Sequence, residues 1–195
     1  MILSRKILFV GHLPGLNPSQ LALLAAQDQF VLEWGRMSSS WGINRTMAQI
    51  HALLLITGTP HTVDEIMDRL VISRGNASMS LRNLMEWGIV QRFRRPGDRK
   101  DTYLSESDPW SMFARVARER KRREIDPTVS AIHECLNRVP SEANDAETTM
   151  FRDRLGALLG AFSVIDAFFS QVFKDDDALR QTIDLFRGPR PKARE

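Results

Sequence analysis

Cysteine, tyrosine and histidine are scarce in this 195-residue chain, which has one, one and four of them. A lone Cys135 excludes an internal disulfide, and His133 two residues away makes no recognised metal-ligand spacing with it, so the expected setting is reducing and cytoplasmic. His12, His51, His61 and His133 form no metal-spaced set, no phosphate-cradling glycine loop is present, and Cys135 has no activating neighbour. Neither an enzyme nor a cofactor is expected. Long apolar runs are missing too. The best, Leu155 to Ile165, lies between Arg154 and Asp166 and falls short of the roughly 20 residues a bilayer requires, so no membrane partner is expected. At the start, Ile7 to Val10 is too brief for a secretory apolar region, and residues 1–18 read as an N-terminal arm.

What is present is ordinary in amount and uneven in placement. With 43% hydrophobic residues and 27 basic against 24 acidic side chains, the chain suits one globular unit or two small ones. From 69 to 100, however, Arg69, Arg74, Arg82, Arg92, Arg94, Arg95, Arg99 and Lys100 face only Glu86 and Asp98. So strong a local excess fits a polyanionic partner, while a solvated charged face is the plainer alternative.

The periodicity is mainly helical. Leu21, Leu24, Phe30, Val31, Trp34 and Met37 mark a helix from about Gln20 to Ser40, which Gly42 ends. Asn44 caps a second through about Ile56, before Gly58 and Pro60. Thr62 and Glu65 form a capping box for a short third helix, whose apolar positions are Val63, Ile66, Met67 and Leu70. Ser73 caps the next, which runs from Arg74 to Trp87 with Ala77, Leu81, Leu84 and Met85 on its buried side. The period then changes. Ile89 to Arg95, a Pro96 to Arg99 turn and Asp101 to Leu104 read as a basic hairpin.

Beyond residue 108 the chain returns to helix. Asp108-Pro109 and Asp126-Pro127 each read as a start, for helices to about Glu124 and about Arg138, and Pro140 to Asn144 reads as a linker. From about Glu147 to Phe173, the residues Phe151, Leu155, Leu158, Phe162, Ile165, Phe169 and Val172 recur at alternating intervals of four and three. That is a heptad seam. A last helix is expected from Asp176 to Phe186, with residues 188–195 a flexible tail.

Helix, short helix, tight turn, helix and hairpin is the order of a winged helix-turn-helix, here over residues 19–108 of a mainly α chain with a small β-hairpin wing. A helix fits the major groove of double-stranded DNA, and a hairpin beside it can lay arginines on phosphates or into the minor groove. The exposed positions of the 74–87 helix are Gly75, Asn76, Ser78, Met79, Arg82 and Asn83. Asn pairs with adenine, Arg with guanine, and Ser with either or with phosphate. Ser73 and Arg74 open that helix. On the hairpin, Arg99 is placed for the minor groove, with Arg94, Arg95 and Lys100 completing the contact set.

The runs FVLEWGRMSSSWGINRTMAQIHALLLI and TVDEIMDRLVISRGNASMSLRNLMEWGIVQRFRRPGDRKDTY, together Phe30 to Tyr103, strongly resemble the GbsR-like branch of the MarR superfamily of bacterial transcriptional regulators. SRGNASMSLRNL and the GDRKD turn are the specific parts. The resemblance implies a dimeric DNA-binding repressor with Ser73 to Asn83 as recognition helix and Arg94 to Lys100 as wing. It also implies control of genes for compatible solutes such as glycine betaine, with choline as effector.

A single winged module usually reads one half-site, so a homodimer and a palindromic operator are expected. The seam from Phe151 to Val172 is the candidate contact within a helical dimerisation region over 109–187, although an intramolecular bundle would show the same spacing. Trp34, Trp41, Trp87 and Trp110 are candidate faces for a quaternary ammonium effector, through cation–π attraction. The basic run Arg115, Arg118, Arg120, Lys121, Arg122 and Arg123 reads as a solvated helix face. The competing function is a protein-interaction or antirepressor module that keeps the fold without specific DNA binding. RNA binding is minor, because Phe93 and Tyr103 are expected to pack the wing itself.

Overall fold

A computed structural model describes residues 17–94, 96, 97, 99–143, 145–175 and 177–187. The N-terminal arm up to residue 16, Arg95, Asp98, Asn144, Asp176 and the tail 188–195 lie outside the described residues. The chain divides into two compact units, with the boundary between Ser107 and Asp108.

In the first unit, α1 (Pro18–Ser40) begins two residues before the expected start, because Asn17 accepts a hydrogen bond from the Gln20 amide at 2.9 Å while the Gln20 side chain accepts from the Asn17 amide. Proline sits in the first turn, where a missing N–H is harmless. α2 (Arg45–Thr57) is capped by Asn44 and stopped by Gly58, whose φ of 61° is the left-handed conformation glycine adopts freely. α2 is the central element. Its Ile50, Ala52, Leu53 and Leu54 are fully buried, and it packs against α1 and the helix that begins at residue 74. One close approach makes the first of these contacts possible: a Cβ at Gly35 of α1 would fall 2.7 Å from Cγ of Gln49.

α3 (Val63–Leu70) starts at the expected capping box, with the Thr62 hydroxyl accepting from the Glu65 amide and the Glu65 carboxylate accepting from the Thr62 amide. α4 (Arg74–Glu86) follows after a three-residue turn and is capped by Ser73. It ends at Trp87-Gly88, where Gly88 has φ 71° and the Ile89 amide donates back to the Leu84 carbonyl at 3.1 Å. The hairpin is shorter than expected, β2 (Val90–Phe93) against β3 (Thr102–Ser105), with Val90 opposite Ser105 and Phe93 opposite Thr102. A third strand was not anticipated. β1 (His61–Thr62) pairs antiparallel with the other edge of β3, giving the order β1-β3-β2. Mainly helical, with a small antiparallel sheet, the chain has the winged helix-turn-helix architecture.

In the second unit, α5 (Pro109–Arg120) is capped by Asp108 as expected, whereas Asp126-Pro127 does not open a separate helix. α5 runs through a π-helical turn (Lys121–Ile125) straight into α6 (Asp126–Asn137), and Ile125 keeps a helical backbone with no side-chain cap. The reason is local. Proline inside a helix lacks a donor and crowds the preceding turn, and a wider turn, in which the Asp126 amide reaches back five residues to the Lys121 carbonyl, relieves that crowding. α7 (Ala146–Val172) and α8 (Ala178–Arg187) complete the unit. α7 also corrects a sequence expectation: it is long and apolar enough to cross a membrane by length and composition, because Asp166 interrupts its apolar run without ending it.

Candidate nucleic-acid interface

The turn between α3 and α4 sets the pose of α4. Val71 takes the left-handed conformation at φ 52°, and the Ile72 amide then closes on the Met67 carbonyl at 3.2 Å. Ser73 follows, its hydroxyl accepting from the Asn76 amide at 3.3 Å. From this start, Ala77, Ser80, Leu81 and Leu84 turn inward, while Arg74, Gly75, Asn76, Ser78, Met79 and Arg82 are exposed. Asn83 and Met85 are half-buried, and Ser80 takes the inward position that spacing alone left unassigned. A Cβ at Gly75 would meet nothing within 4 Å, so the start of α4 is open to close approach from outside.

On the wing, Gly97 makes the turn with φ 91°. Arg94 donates from Nε to Oδ1 of Asp101 at 2.7 Å, and Nη1 of Arg92 lies 3.7 Å from Oδ2 of the same carboxylate. The Arg94 hydrogen bond holds the Asp101 carboxyl below its ordinary range and raises Arg94 in turn. Lys100 donates to Oδ2 of Asp64 at 2.8 Å, and Arg74 donates to Oδ1 of that residue. Asp64 is likewise lowered, first by Lys100 and then by Arg74. Among the described residues, Arg82 and Arg99 meet no carboxylate. Tyr103 packs the wing as expected. Phe93 does not; it is 42% exposed, because it lies near the free end of edge strand β2.

The structure thus brings Arg74 and Lys100 together and sets Asn76, Ser78, Met79 and Arg82 along one exposed face. Arg95 lies outside the described residues. Sequence reasoning missed the two carboxylates that organise the cations. Asp64 falls in the first turn of a helix and Asp101 just before a strand, and nothing local to either announces a partner up to 36 residues away.

The four tryptophans are differently placed. Trp34 packs against Phe30 at a ring separation of 5.4 Å and against His51 at 6.3 Å, in the core with Val31, Ala52 and Leu53. Trp41 is exposed at the end of α1, Trp87 ends α4, and Trp110 belongs to α5 in the second unit. In that unit the second basic run is locally neutralised. Arg122 and Arg123 both pair with the buried Glu119, Arg120 with Glu124, and Lys121 with Asp126 and Asp166 at 2.6 and 2.7 Å. The seam on α7 is uncovered along much of its length: Phe151, Leu158 and Ile165 are exposed, Leu155, Phe162 and Phe169 half-buried, and Val172 buried.

A recognition-type helix braced by a capped partner helix, with a three-stranded wing beside its start, defines the class as winged helix-turn-helix. Residues 41–101 match the model of the MarR family. Over 118 residues the chain is 25% identical to the HTH-type transcriptional repressor GbsR of Bacillus subtilis (strain 168), a match that covers 60% of this chain and 65% of that protein. A crystal structure described as that of a transcriptional regulator is similar with a TM-score of 0.50 at 23% identity, over 75% of this chain and 99% of the other, a likeness of fold. The winged helix-turn-helix part of the chain is thus similar to the MarR family, on its GbsR-like side.

Proposed function

We propose that this protein is a dimeric, sequence-specific transcriptional repressor that reads a palindromic operator, with α4 in the major groove and the wing on the backbone or in the minor groove. One observation carries the reading. The exposed face of α4 offers Asn76, Ser78, Met79 and Arg82, and the wing's Lys100 is held at the start of the same helix through Asp64. Base-reading and phosphate-reading groups therefore share one surface.

Dimerisation through α7 follows from its uncovered seam, since exposed Phe151, Leu158 and Ile165 call for an apolar cover. A second copy suits that seam better than lipid does, because Asp166 in the same helix is ion-paired with Lys121 and hydrocarbon penalises such charges. Choline, the effector implied by the family resemblance, belongs to this proposal, and exposed Trp41 is the ring open to it.

The test is a fluorescence-anisotropy titration against DNA from upstream of the protein's own gene and a scrambled duplex, each at two salt concentrations. Tighter binding to the upstream duplex, weakening steeply with salt, is expected. Asn76→Ala should reduce discrimination between the duplexes by about 1–3 kcal/mol. Arg99→Ala should weaken both and flatten the salt slope by about 1. Binding to neither duplex would favour the protein-interaction module instead.

A further inference from the structure

The Asp64 carboxylate lies between two cations from different elements. Asp64 is the second residue of α3; Arg74 opens α4 and donates to Oδ1, while Lys100 comes from the end of the wing turn and donates to Oδ2 at 2.8 Å. The three side chains are 39%, 64% and 67% exposed, so the bridge contributes little to stability. Its position gives it a different use. The bridge sits at the start of the helix that the proposed function places in the groove, where recognition helices approach the sugar–phosphate backbone.

A carboxylate presents two anionic oxygens much as a phosphodiester presents its two non-bridging oxygens. Both cations that would receive a phosphate there are already engaged by an internal stand-in. We propose that Asp64 is an internal counter-anion, which holds Arg74 and Lys100 in place in the free protein and yields them to a DNA phosphate on binding. Resting on the DNA-binding reading above, this makes Asp64 a positioning residue that sets sequence-independent affinity. Binding becomes an exchange of one anion for another, and the displaced carboxylate remains near the phosphate as a repelling charge, so the net gain from phosphate contact is held down.

Both consequences are measurable by anisotropy with the full chain on the two duplexes. Asp64→Asn keeps the size of the side chain and removes its charge, and it should tighten binding to both duplexes by about tenfold while leaving their ratio unchanged. Lys100→Gln in the otherwise natural chain should weaken both and flatten the salt slope by about 1, because Lys100 reaches phosphate in the complex. An Asp64→Asn variant that binds no tighter, or a Lys100→Gln variant whose salt slope is unchanged, overturns the exchange. If the natural chain binds its upstream duplex specifically and the variants fail these expectations, only the role of Asp64 falls; if the natural chain binds neither duplex, the DNA reading falls and takes this role with it.

Discussion

His51 is the residue whose surroundings conflict most with its chemistry. It lies on α2 against Trp34, is 4% exposed, and its Nε2 finds no hydrogen-bond partner among the described residues. Burial pushes its pKa from 6.5 down to about 4, so the folded protein keeps the ring neutral where the unfolded chain would protonate it. The unfolded state then binds more protons between those two values. The stability tied to a neutral His51 is complete above pH 6.5 and is lost as the pH falls towards 4, a change of roughly 3 kcal/mol at most. Melting temperature measured across pH 4 to 7 should fall on the acid side for the natural chain and run flatter for His51→Leu. Parallel curves would show that the ring is not the group responsible. The ion-paired carboxylates Asp64 and Asp101 are lowered as well, but they are only half-buried, and each acts below its ordinary carboxylate range.

At the scale of the element, the three-residue turn between α3 and α4 stores strain at Val71. A β-branched residue in the left-handed region is disfavoured by about 1–2 kcal/mol, and Val71 is exposed, so little packing offsets this. Glycine removes that penalty but adds freedom to the unfolded chain, worth about 0.4–1 kcal/mol. Val71→Gly should therefore raise the urea midpoint slightly, by up to about 1 kcal/mol of stability. A lowered midpoint would mean that the valine side chain contributes contacts that outweigh the strain. Elements also show what a reader of the sequence can and cannot find. Asn44, Ser73 and the Thr62–Glu65 pair were legible as caps because a cap is a contact within three residues. The two residues of β1 were not, since a strand that short has no period and exists only because β3 offers it an edge. Asp126-Pro127 misled for a related reason: the pair has the composition of a helix start, and whether it opens a helix or is absorbed by a π turn depends on what precedes it. The exposed face of α4 was legible nearly in full from its spacing, whereas Asp64, whose partner Lys100 lies 36 residues on, was legible only as a first-turn residue of α3.

The proposed association of two copies rests on α7. Its seam residues Leu158 and Ile165 are exposed, so Leu158→Asp with Ile165→Asp should leave the single chain folded while preventing the association proposed for it. Sedimentation of the natural chain at micromolar concentration should report a dimer, and the double variant a monomer with an unchanged helical circular dichroism spectrum. A natural chain that sediments as a monomer would remove the dimer. The loss should extend to the operator, since one half-site contact alone forgoes the effective concentration that joining two modules supplies.

The sheet order has a consequence for how such a protein can change over generations. β3 is central, paired with β1 on one side and β2 on the other, and β1 runs directly into α3. The return strand of the wing is thereby anchored to the helix-turn-helix, while the described turn residues 96, 97 and 99 take part in neither pairing. Insertions or deletions at that tip can lengthen or shorten the reach of the wing without shifting the pose of α4. A one-residue change within 102–105 would turn every side chain of the strand to the opposite face and carry β1 with it. Descendants of this chain are accordingly free to vary in wing length and constrained in the register that sets Tyr103 opposite His61, so that groove reading and backbone grip can diverge independently.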